Sequence, residues 1–378
     1  MSKNKLCIVV ASEMTVKAFL QEQIRALAER YEVTLLVNTE NPGFLREAGL
    51  EARVIAWDVV RNIAPLHDMK ALLQLVLLFR KERFDIVHSV TPKAGLLAML
   101  AGFFTRIPVR IHIFTGQVWA TRQGFWRWLL KSMDRLLAAA STHLLTDSAS
   151  QRQFIVDEGI ARAGRVEVLG KGSISGVDVT RFVPDGAARK EIRSKFGVND
   201  TDVLFLFLGR VNRDKGVLDL AYAFADMARI HLDAHLLIVG PDEEGLGSEI
   251  EHICASCRDR IHRIDYTDVP QRYMAAADVF CLPSYREGFG SVVIEAAAVG
   301  IPTVGSDIYG VCDAIDRDHT GLLFPVGNIN ALAEAMSRLI DDPVMLKHLS
   351  ESARKRALAD FDSRQLAGAW LNYYDGLK

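Results

Sequence analysis

The chain has 378 residues, of which 24% are charged and 49% are apolar, and its formal net charge is -2. This length predicts two or three domains with sizeable cores, and the near-neutral charge argues against nucleic acid as a partner. No uncharged apolar run reaches the roughly 18 residues that a membrane-spanning helix needs. The five cysteines show no disulfide-framework spacing, which is typical of a protein in a reducing cytosol.

Strand-like and helix-like segments alternate along the whole chain. The first apolar run, 6–10, is too short for a signal peptide and predicts a buried strand. Further strands are predicted at 33–37, 85–89, 110–114, 143–146, 203–208, 235–239, 261–264, 278–282, 302–304 and 322–324, and amphipathic helices at 15–30, 69–82, 215–229, 330–340 and 343–358. Such alternation predicts an α/β protein with parallel sheets, and about 11 strands fit two doubly wound domains better than one sheet.

A glycine- and serine-rich stretch at 170–178 indicates where the two domains join. We therefore expect an N-terminal domain at 1–168 and a C-terminal domain at 169–362. Two Rossmann-like domains that face each other leave a cleft at the carboxyl ends of their strands, where α/β sheets bind ligands.

The segment 119–137 combines aromatic and aliphatic residues with basic ones. Arg127, Lys131 and Arg135 recur every four residues and therefore form one stripe, which we call the basic stripe, beside an aromatic face. Arg122 lies in the same segment. The pattern fits a helix lying on an anionic membrane, and it equally fits a packed helix with a solvated basic edge.

The loop 209–216 follows the predicted strand 203–208 and so lies at the ligand-binding edge of the second sheet. Arg210 and Lys215 in this loop, after Gly209, are suited to neutralising a diphosphate, although the loop alone also fits a solvated basic turn. Tyr266 follows a later strand and is a candidate for a nucleobase pocket or a plain connection.

Glu287 and Glu295 are the most informative pair in the sequence. A short apolar strand runs into a glycine-containing turn that opens an alanine-rich helix, with one carboxylate just before the helix and the other inside it. Helix amino ends bind phosphates, so a diphosphate held there leaves one carboxylate for a sugar and the other for a ribose diol. The backbone amides concerned belong to Phe289, Gly290 and Ser291. This layout predicts a nucleotide-sugar site.

These motifs resemble those of the family-4 glycosyltransferases with the GT-B fold. The resemblance is carried by the segments 209–216, 277–290, 295–302 and 320–324. It implies that Glu287 lies near the transferred sugar, that Glu295 binds the ribose, and that Arg210 and Lys215 bind the diphosphate. It also implies a retaining hexosyltransferase that uses a nucleotide-sugar donor, expected to be UDP-linked and to carry a hexose or N-acetylhexosamine, with no metal site and no cofactor.

The first half resembles the family more loosely. The loop 11–15 lacks the glycines of many relatives, and Thr115-Gly116 stands where many have histidine and glycine. By this correspondence Thr115 and Gly116 are expected to contact the donor. His112 lies two residues from the expected position, and we interpret it as a packed histidine.

The segment 91–95 and the Thr115 variant are most similar to members that extend lipid-diphosphate-linked saccharides for bacterial surface polysaccharides or glycoproteins. Lys93, at a predicted helix start, is accordingly an acceptor-side candidate, or else a simple exposed lysine. Arg122 is the other acceptor-side candidate. That subgroup implies a polyprenyl-diphosphate-linked acceptor and a cytoplasmic enzyme that is peripheral on the inner membrane.

The resemblance further implies that the first domain serves the acceptor and that a last helix, 363–378, crosses back to it. Two rival functions remain at this point. One is a sugar-nucleotide epimerase of similar shape, and the other is a two-lobed sugar-binding protein without catalysis. Binding proteins of that kind are usually exported and do not need paired basic residues aimed at a diphosphate, and the spacing of Glu287 and Glu295 favours transfer.

Overall fold

The computed structural model describes residues 3–59 and 63–377. These residues form two compact units: one runs to Ser175 and takes in the chain from Ser363, and the other is Gly176–Asp362. The boundary expected after residue 168 is therefore too early. The amide of Ser173 donates to the carbonyl of Asp147 at 2.6 Å, which ties the connecting stretch to the first unit.

The first unit is built on a seven-stranded parallel sheet in the order β3-β2-β1-β4-β5-β6-β7. Its strands are β1 (Lys5–Val9), β2 (Glu32–Val37), β3 (Arg53–Ala56), β4 (Ile86–Ser89), β5 (Val109–Phe114), β6 (His143–Thr146) and β7 (Val166–Val168). Side chains alternate across a strand, so Leu6 and Ile8 enter the core on one face and Cys7 and Val9 enter the core on the other. Both faces are thus buried, as parallel sheets require.

Helices cover both faces of this sheet. They are α1 (Glu13–Phe19), α2 (Gln21–Arg30), α3 (Phe44–Glu47), α4 (Pro65–Glu82), α5 (Pro92–Phe104), α6 (Gly124–Ala140) and α7 (Ala149–Asp157). Helices α1 to α3 share one core, and α4 to α7 share the other. The single helix predicted at 15–30 is wrong, because the chain bends at Leu20, whose side chain is fully buried between α1 and α2.

The second unit has a six-stranded parallel sheet in the order β10-β9-β8-β11-β12-β13. Its strands are β8 (Val203–Leu208), β9 (Ala234–Val239), β10 (Ile261–Ile264), β11 (Val279–Leu282), β12 (Thr303–Ser306) and β13 (Gly321–Phe324). Its helices are α8 (Gly186–Lys195), α9 (Val217–Met227), α10 (Gly247–Ile253), α11 (Pro270–Ala276), α12 (Ser291–Val299), α13 (Val311–Ala314), α14 (Ile329–Asp341) and α15 (Pro343–Asp360). The prediction of two doubly wound α/β domains is confirmed.

The last helix, α16 (Ser363–Asp375), belongs to the first unit, where it packs on α2. Trp370 and Tyr374 are buried in its core, and the Tyr374 hydroxyl lies 2.7 Å from Nδ1 of the buried His88. These aromatic side chains make α16 part of the core of the first unit.

Candidate functional site

The strand order of the second unit reverses between β8 and β11, so the loops that follow these two strands flank a topological switch point. Ligands of doubly wound sheets bind at such a point. The two loops touch at Gly216, where φ is +66° and a Cβ atom would lie 2.0 Å from the carbonyl oxygen of Pro283. Only glycine permits this approach. The amide of Tyr285 adds a 2.9 Å hydrogen bond to the carbonyl of Asp214.

Contact between these loops brings Lys215 and Glu287 together. The Lys215 ammonium and the Glu287 carboxylate form an ion pair, and the hydroxyl of the buried Ser284 donates to the same carboxylate oxygen at 2.8 Å. The two charged side chains are only 19% and 13% exposed. Water therefore screens this pair less than it screens an ordinary surface pair. Lys215 and Ser284 together fix the position of the Glu287 carboxylate.

Arg210 meets a carboxylate that the sequence analysis did not single out. Its guanidinium Nη1 donates to both oxygens of Glu243, at 2.9 and 3.2 Å, and Asn212 Nδ2 donates to Glu243 at 3.0 Å. The loops after β8 and β9 approach so closely that a Cβ atom at Gly240, where φ is +145°, would lie 1.8 Å from the carbonyl oxygen of Gly209. A signal for Glu243 existed in the sequence, because it closely follows a strand end of the same sheet.

Helix α12 begins at Ser291, directly after Gly290, which has a φ of +78°. The first amides of a helix have no acceptor in a preceding turn and carry partial positive charge. The Phe289 side chain is buried and packs on the ring of Phe361, with centroids 5.3 Å apart. Phe289 therefore offers a ligand only its backbone. The start of α12 supplies amide donors beside the Lys215–Glu287 pair.

Glu295 is half-buried on α12. Burial raises its pKa from the ordinary value of 4.5 to about 7, although the positive charge of Arg181 partly opposes the shift. Removal from water disfavours the charged form of a carboxyl group. Glu295 is therefore partly protonated at neutral pH, and a ligand that donates hydrogen bonds to it would favour its carboxylate form.

The other donor-side candidates are dispersed. Tyr266 follows β10 and is 70% exposed. Thr115 and Gly116 follow β5 in the first unit, where the Thr115 hydroxyl donates to the carbonyl of Val90 at 3.4 Å and Gly116 has a φ of +115°. The structure therefore groups Arg210, Lys215, Glu287 and the start of α12 within the second unit, and it places Thr115 and Gly116 in the first.

The acceptor-side candidates also lie in the first unit. The Lys93 ammonium, at the start of α5, is 2.5 Å from a carboxylate oxygen of Asp68 on α4. Lys93 is therefore paired with a carboxylate, and the alternative that it is a simple exposed lysine is wrong. Arg122 is exposed in the turn before α6.

The interpretation of His112 as a packed histidine is confirmed. Its ring is buried, and its Nδ1 lies 2.8 Å from the hydroxyl of Ser89 on the adjacent strand. Burial lowers the pKa of His112 to about 3, with a smaller effect from His88. His112 is therefore neutral at physiological pH.

The basic stripe of α6 is engaged within the protein. Glu158, just after α7, accepts hydrogen bonds from Arg127 at 2.8 Å and from Lys131 at 2.5 Å, and Arg135 donates to the carbonyl of Gly159 at 3.0 Å. The Lys131 ammonium and then the Arg127 guanidinium hold the pKa of Glu158 below its usual value. Helical periodicity put the three cations on one face, but that face packs against the end of α7.

Within residues 3–59 and 63–377, no three or more His, Cys, Asp and Glu side chains group as a bound metal ion would require. No helix in these ranges has both the length and the apolar character needed to cross a bilayer.

Family models match both units. The model described as "Glycosyl transferases group 1" matches residues 188–356, and the model described as "Glycosyl transferase 4-like domain" matches residues 15–172. The first range includes the loops at the switch point of the second unit. The second includes β2 to β7 of the first unit.

Curated relatives match over most of their length. A capsular polysaccharide biosynthesis glycosyltransferase, CapM of Staphylococcus aureus, is 30% identical over 85% of this chain and 88% of its own. An Escherichia coli protein named UDP-Gal:alpha-D-GlcNAc-diphosphoundecaprenol alpha-1,3-galactosyltransferase is 26% identical over 80% of this chain and 78% of its own. A Campylobacter jejuni protein named N,N'-diacetylbacillosaminyl-diphospho-undecaprenol alpha-1,3-N-acetylgalactosaminyltransferase is 25% identical over 93% of both chains.

Solved structures share the fold. HepE of Anabaena, in complex with UDP and glucose, superposes with a TM-score of 0.82 over 99% of this chain and 100% of its own, at 16% identity. WaaG, a glycosyltransferase involved in lipopolysaccharide biosynthesis, superposes with a TM-score of 0.73 over 99% of both chains, also at 16% identity. Both match the two-domain α/β architecture of the chain.

Proposed function

The chain belongs to the family-4 glycosyltransferases, and we propose that it moves a sugar from a nucleoside-diphosphate donor to a lipid-diphosphate-linked saccharide, with retention of anomeric configuration and without a metal ion. The observation that carries the proposal is the grouping of Arg210, the Lys215–Glu287 pair and the amino end of α12 at one switch point. These groups supply positive charge, a fixed carboxylate and free amides to one ligand.

The proposed chemistry follows from how charge develops. When the anomeric bond breaks, the sugar gains positive charge and the diphosphate gains negative charge. Arg210, Lys215 and the first amides of α12 would stabilise the departing diphosphate. The Glu287 carboxylate, held by Lys215 and Ser284, would bind the transferred sugar. The departing phosphate oxygen would take the proton of the attacking hydroxyl, which requires no separate base.

Glu295 is proposed to bind the ribose diol of the donor. Two hydroxyl groups that donate to one carboxylate favour its charged form, and such charge-assisted bonds contribute roughly 1.5–3 kcal/mol. The raised pKa of Glu295 means that donor binding would draw the carboxyl toward ionisation. Donor affinity should therefore increase as the pH rises toward and through about 7.

The proposals for the acceptor and for the donor nucleotide are based on the similar proteins described above. The names of the Escherichia coli and Campylobacter jejuni proteins specify undecaprenol-diphosphate-linked sugars, and HepE binds UDP and glucose. We infer for this chain a UDP-linked hexose or N-acetylhexosamine as donor and a polyprenyl-diphosphate-linked saccharide as acceptor. Lys93 and Arg122 remain the proposed acceptor-side cations.

An acceptor with a polyprenyl chain resides in a bilayer, so we infer peripheral binding on the cytoplasmic face of the inner membrane. The amino end of α6 exposes Phe125, Trp126 and Trp128, with the two indoles 57% and 61% exposed. Aromatic side chains of this kind are enriched at membrane interfaces. Helix α4, which contacts α5 as α6 does, also exposes aliphatic side chains: Leu66, Met69, Leu73 and Leu77. Contacts between these exposed apolar side chains and lipid, rather than the basic stripe, would then account for membrane binding.

The deciding experiment measures nucleoside-diphosphate release from UDP- and GDP-sugars with and without short lipid-diphosphate saccharides. We expect release of UDP only when acceptor is present, and an α-linked product from an α-linked donor by NMR. Interconversion of the donor sugar without acceptor would establish the epimerase alternative. Donor binding with no turnover on any acceptor would favour a binding protein.

A further inference from the structure

Both cations proposed to bind the diphosphate are already paired with carboxylates, but the two pairs differ. The Lys215–Glu287 pair is largely shielded from water and is joined by the buried Ser284. The Arg210–Glu243 pair is open to water, with side chains 37% and 35% exposed. Exposed ion pairs are weak and exchange readily. Arg210 is therefore the cation that can change partners.

Glu243 is placed so that it would stay close after losing Arg210. Asn212 Nδ2 donates to the Glu243 carboxylate at 3.0 Å, and Asn212 Oδ1 accepts from the amide of Lys215 at 3.1 Å. The loop after β9 is fixed against the loop after β8 by the approach of Gly240 to Gly209. A displaced Glu243 carboxylate would thus remain next to the bound diphosphate.

We propose that Glu243 is a competing counter-ion for Arg210, a positioning residue that holds the guanidinium in the donor-free enzyme and is displaced by the donor diphosphate. This inference rests on the proposed function of the site. The diphosphate must break the Arg210–Glu243 pair to reach the guanidinium, so Glu243 lowers affinity for every nucleoside diphosphate. It returns to Arg210 when the product nucleotide leaves, and it thereby favours product release.

The test is the substitution Glu243→Gln, which keeps the size of the side chain and removes its charge. Removing one exposed competing charge should tighten UDP binding by about twofold to fivefold. Binding of uridine, which carries no phosphate, should not change. Product inhibition by UDP should strengthen by the same factor. A merely structural role of Glu243 would affect uridine and UDP alike.

Two further variants isolate the contact with Arg210. In an Arg210→Ala background, Glu243→Gln should change UDP affinity much less than it does in the wild type, as a double-mutant cycle requires. Glu244→Gln is the matched control, because Glu244 lies next in the chain but pairs at 3.8 Å with Arg213, and both side chains are more exposed. Its UDP affinity should equal that of the wild type.

Unchanged or weaker UDP binding by Glu243→Gln would overturn the proposal, and so would an equal gain by Glu244→Gln. A folded wild-type protein that binds neither UDP nor GDP would instead refute the proposed function. Restoration of wild-type UDP affinity by Glu243→Asp would support the role of the carboxylate charge.

Discussion

Glu295→Gln should make the protein more stable at alkaline pH and a worse binder of its donor. Burial raises the pKa of Glu295 to about 7 from an ordinary value of 4.5. Below about pH 4.5 the carboxyl group is protonated in both the folded and the unfolded chain, so its ionisation does not change the free energy of unfolding. As the pH rises from about 4.5 to 7, the unfolded chain ionises first, and the free energy of unfolding falls. Glutamine avoids this loss.

The size of the effect follows from the pKa. One pKa unit corresponds to about 1.4 kcal/mol, so a rise from 4.5 to about 7 sets an upper bound of about 3.5 kcal/mol above pH 7. The side chain is only half-buried, so we expect about 2 kcal/mol. For a unit the size of Gly176–Asp362, that corresponds to an increase of roughly 4–8 °C in Tm.

Differential scanning calorimetry of Glu295→Gln and wild type at pH 5 and pH 8 checks this expectation. The stabilisation should be near its full value at pH 8 and small at pH 5. Glu334→Gln, on the exposed face of α14, is the control and should show no such pH dependence. In calorimetric titration, Glu295→Gln should bind UDP about tenfold more weakly. A Tm difference that is the same at both pH values would refute the burial argument, and unchanged UDP binding would refute the ribose role.

Three further predictions concern the leaving group, the last helix and the membrane. Arg210→Ala and Lys215→Ala should each lower kcat about 100-fold in steady-state assays, because the diphosphate charge grows toward the transition state; strong inhibition of the wild type by a chelator, reversed by manganese, would show instead that a metal is required. Cutting the chain before Ser363 removes buried aromatic side chains from the first unit. Calorimetry should therefore show that the unfolding transition of the first unit is lost or lowered and that of the second unit is retained. An unchanged calorimetric profile would contradict this. Trp126→Ser combined with Trp128→Ser should weaken binding to anionic vesicles, measured by sedimentation, about tenfold or more. Activity on a short soluble acceptor should be unchanged. Undiminished sedimentation would mean that another surface binds lipid.

Most strands predicted from the sequence are buried on both faces of a sheet, although the partly exposed edge strand β10 was predicted as well. β1, β8 and β11 are nearly continuous apolar runs, because parallel strands between two helix layers have no polar side. Two strands of the first sheet, β3 and β7, were missed. Each lies at an edge, has four residues or fewer, and is partly exposed, so neither gives a clear apolar pattern.

The residues that line the site were easier to predict from the sequence than the ionic partner of each one. A loop that follows a parallel strand lies at the ligand-binding edge of its sheet, whichever other loops it contacts. Arg210 and Glu287 could therefore be named from the sequence. Their ionic partners depend on which loops meet, and that depends on close backbone approaches far apart in the chain, as at Gly216 and Gly240. The same limit explains the basic stripe, since periodicity defines a helix face but does not reveal that Glu158 covers it.

A glycosyltransferase must bind a diphosphate at the start of each cycle and release one at the end. Cations left unpaired in a half-buried loop would be costly in the free enzyme and would hold the product tightly. Pairing Arg210 with Glu243 and Lys215 with Glu287 makes diphosphate affinity a difference between two sets of ionic contacts. Salt screens the exposed pair more than the shielded one. In the proposed mechanism, Lys215 and Glu287 would therefore act as a fixed element that orients the sugar, and Arg210 would act as the exchangeable contact that sets how readily the nucleotide leaves.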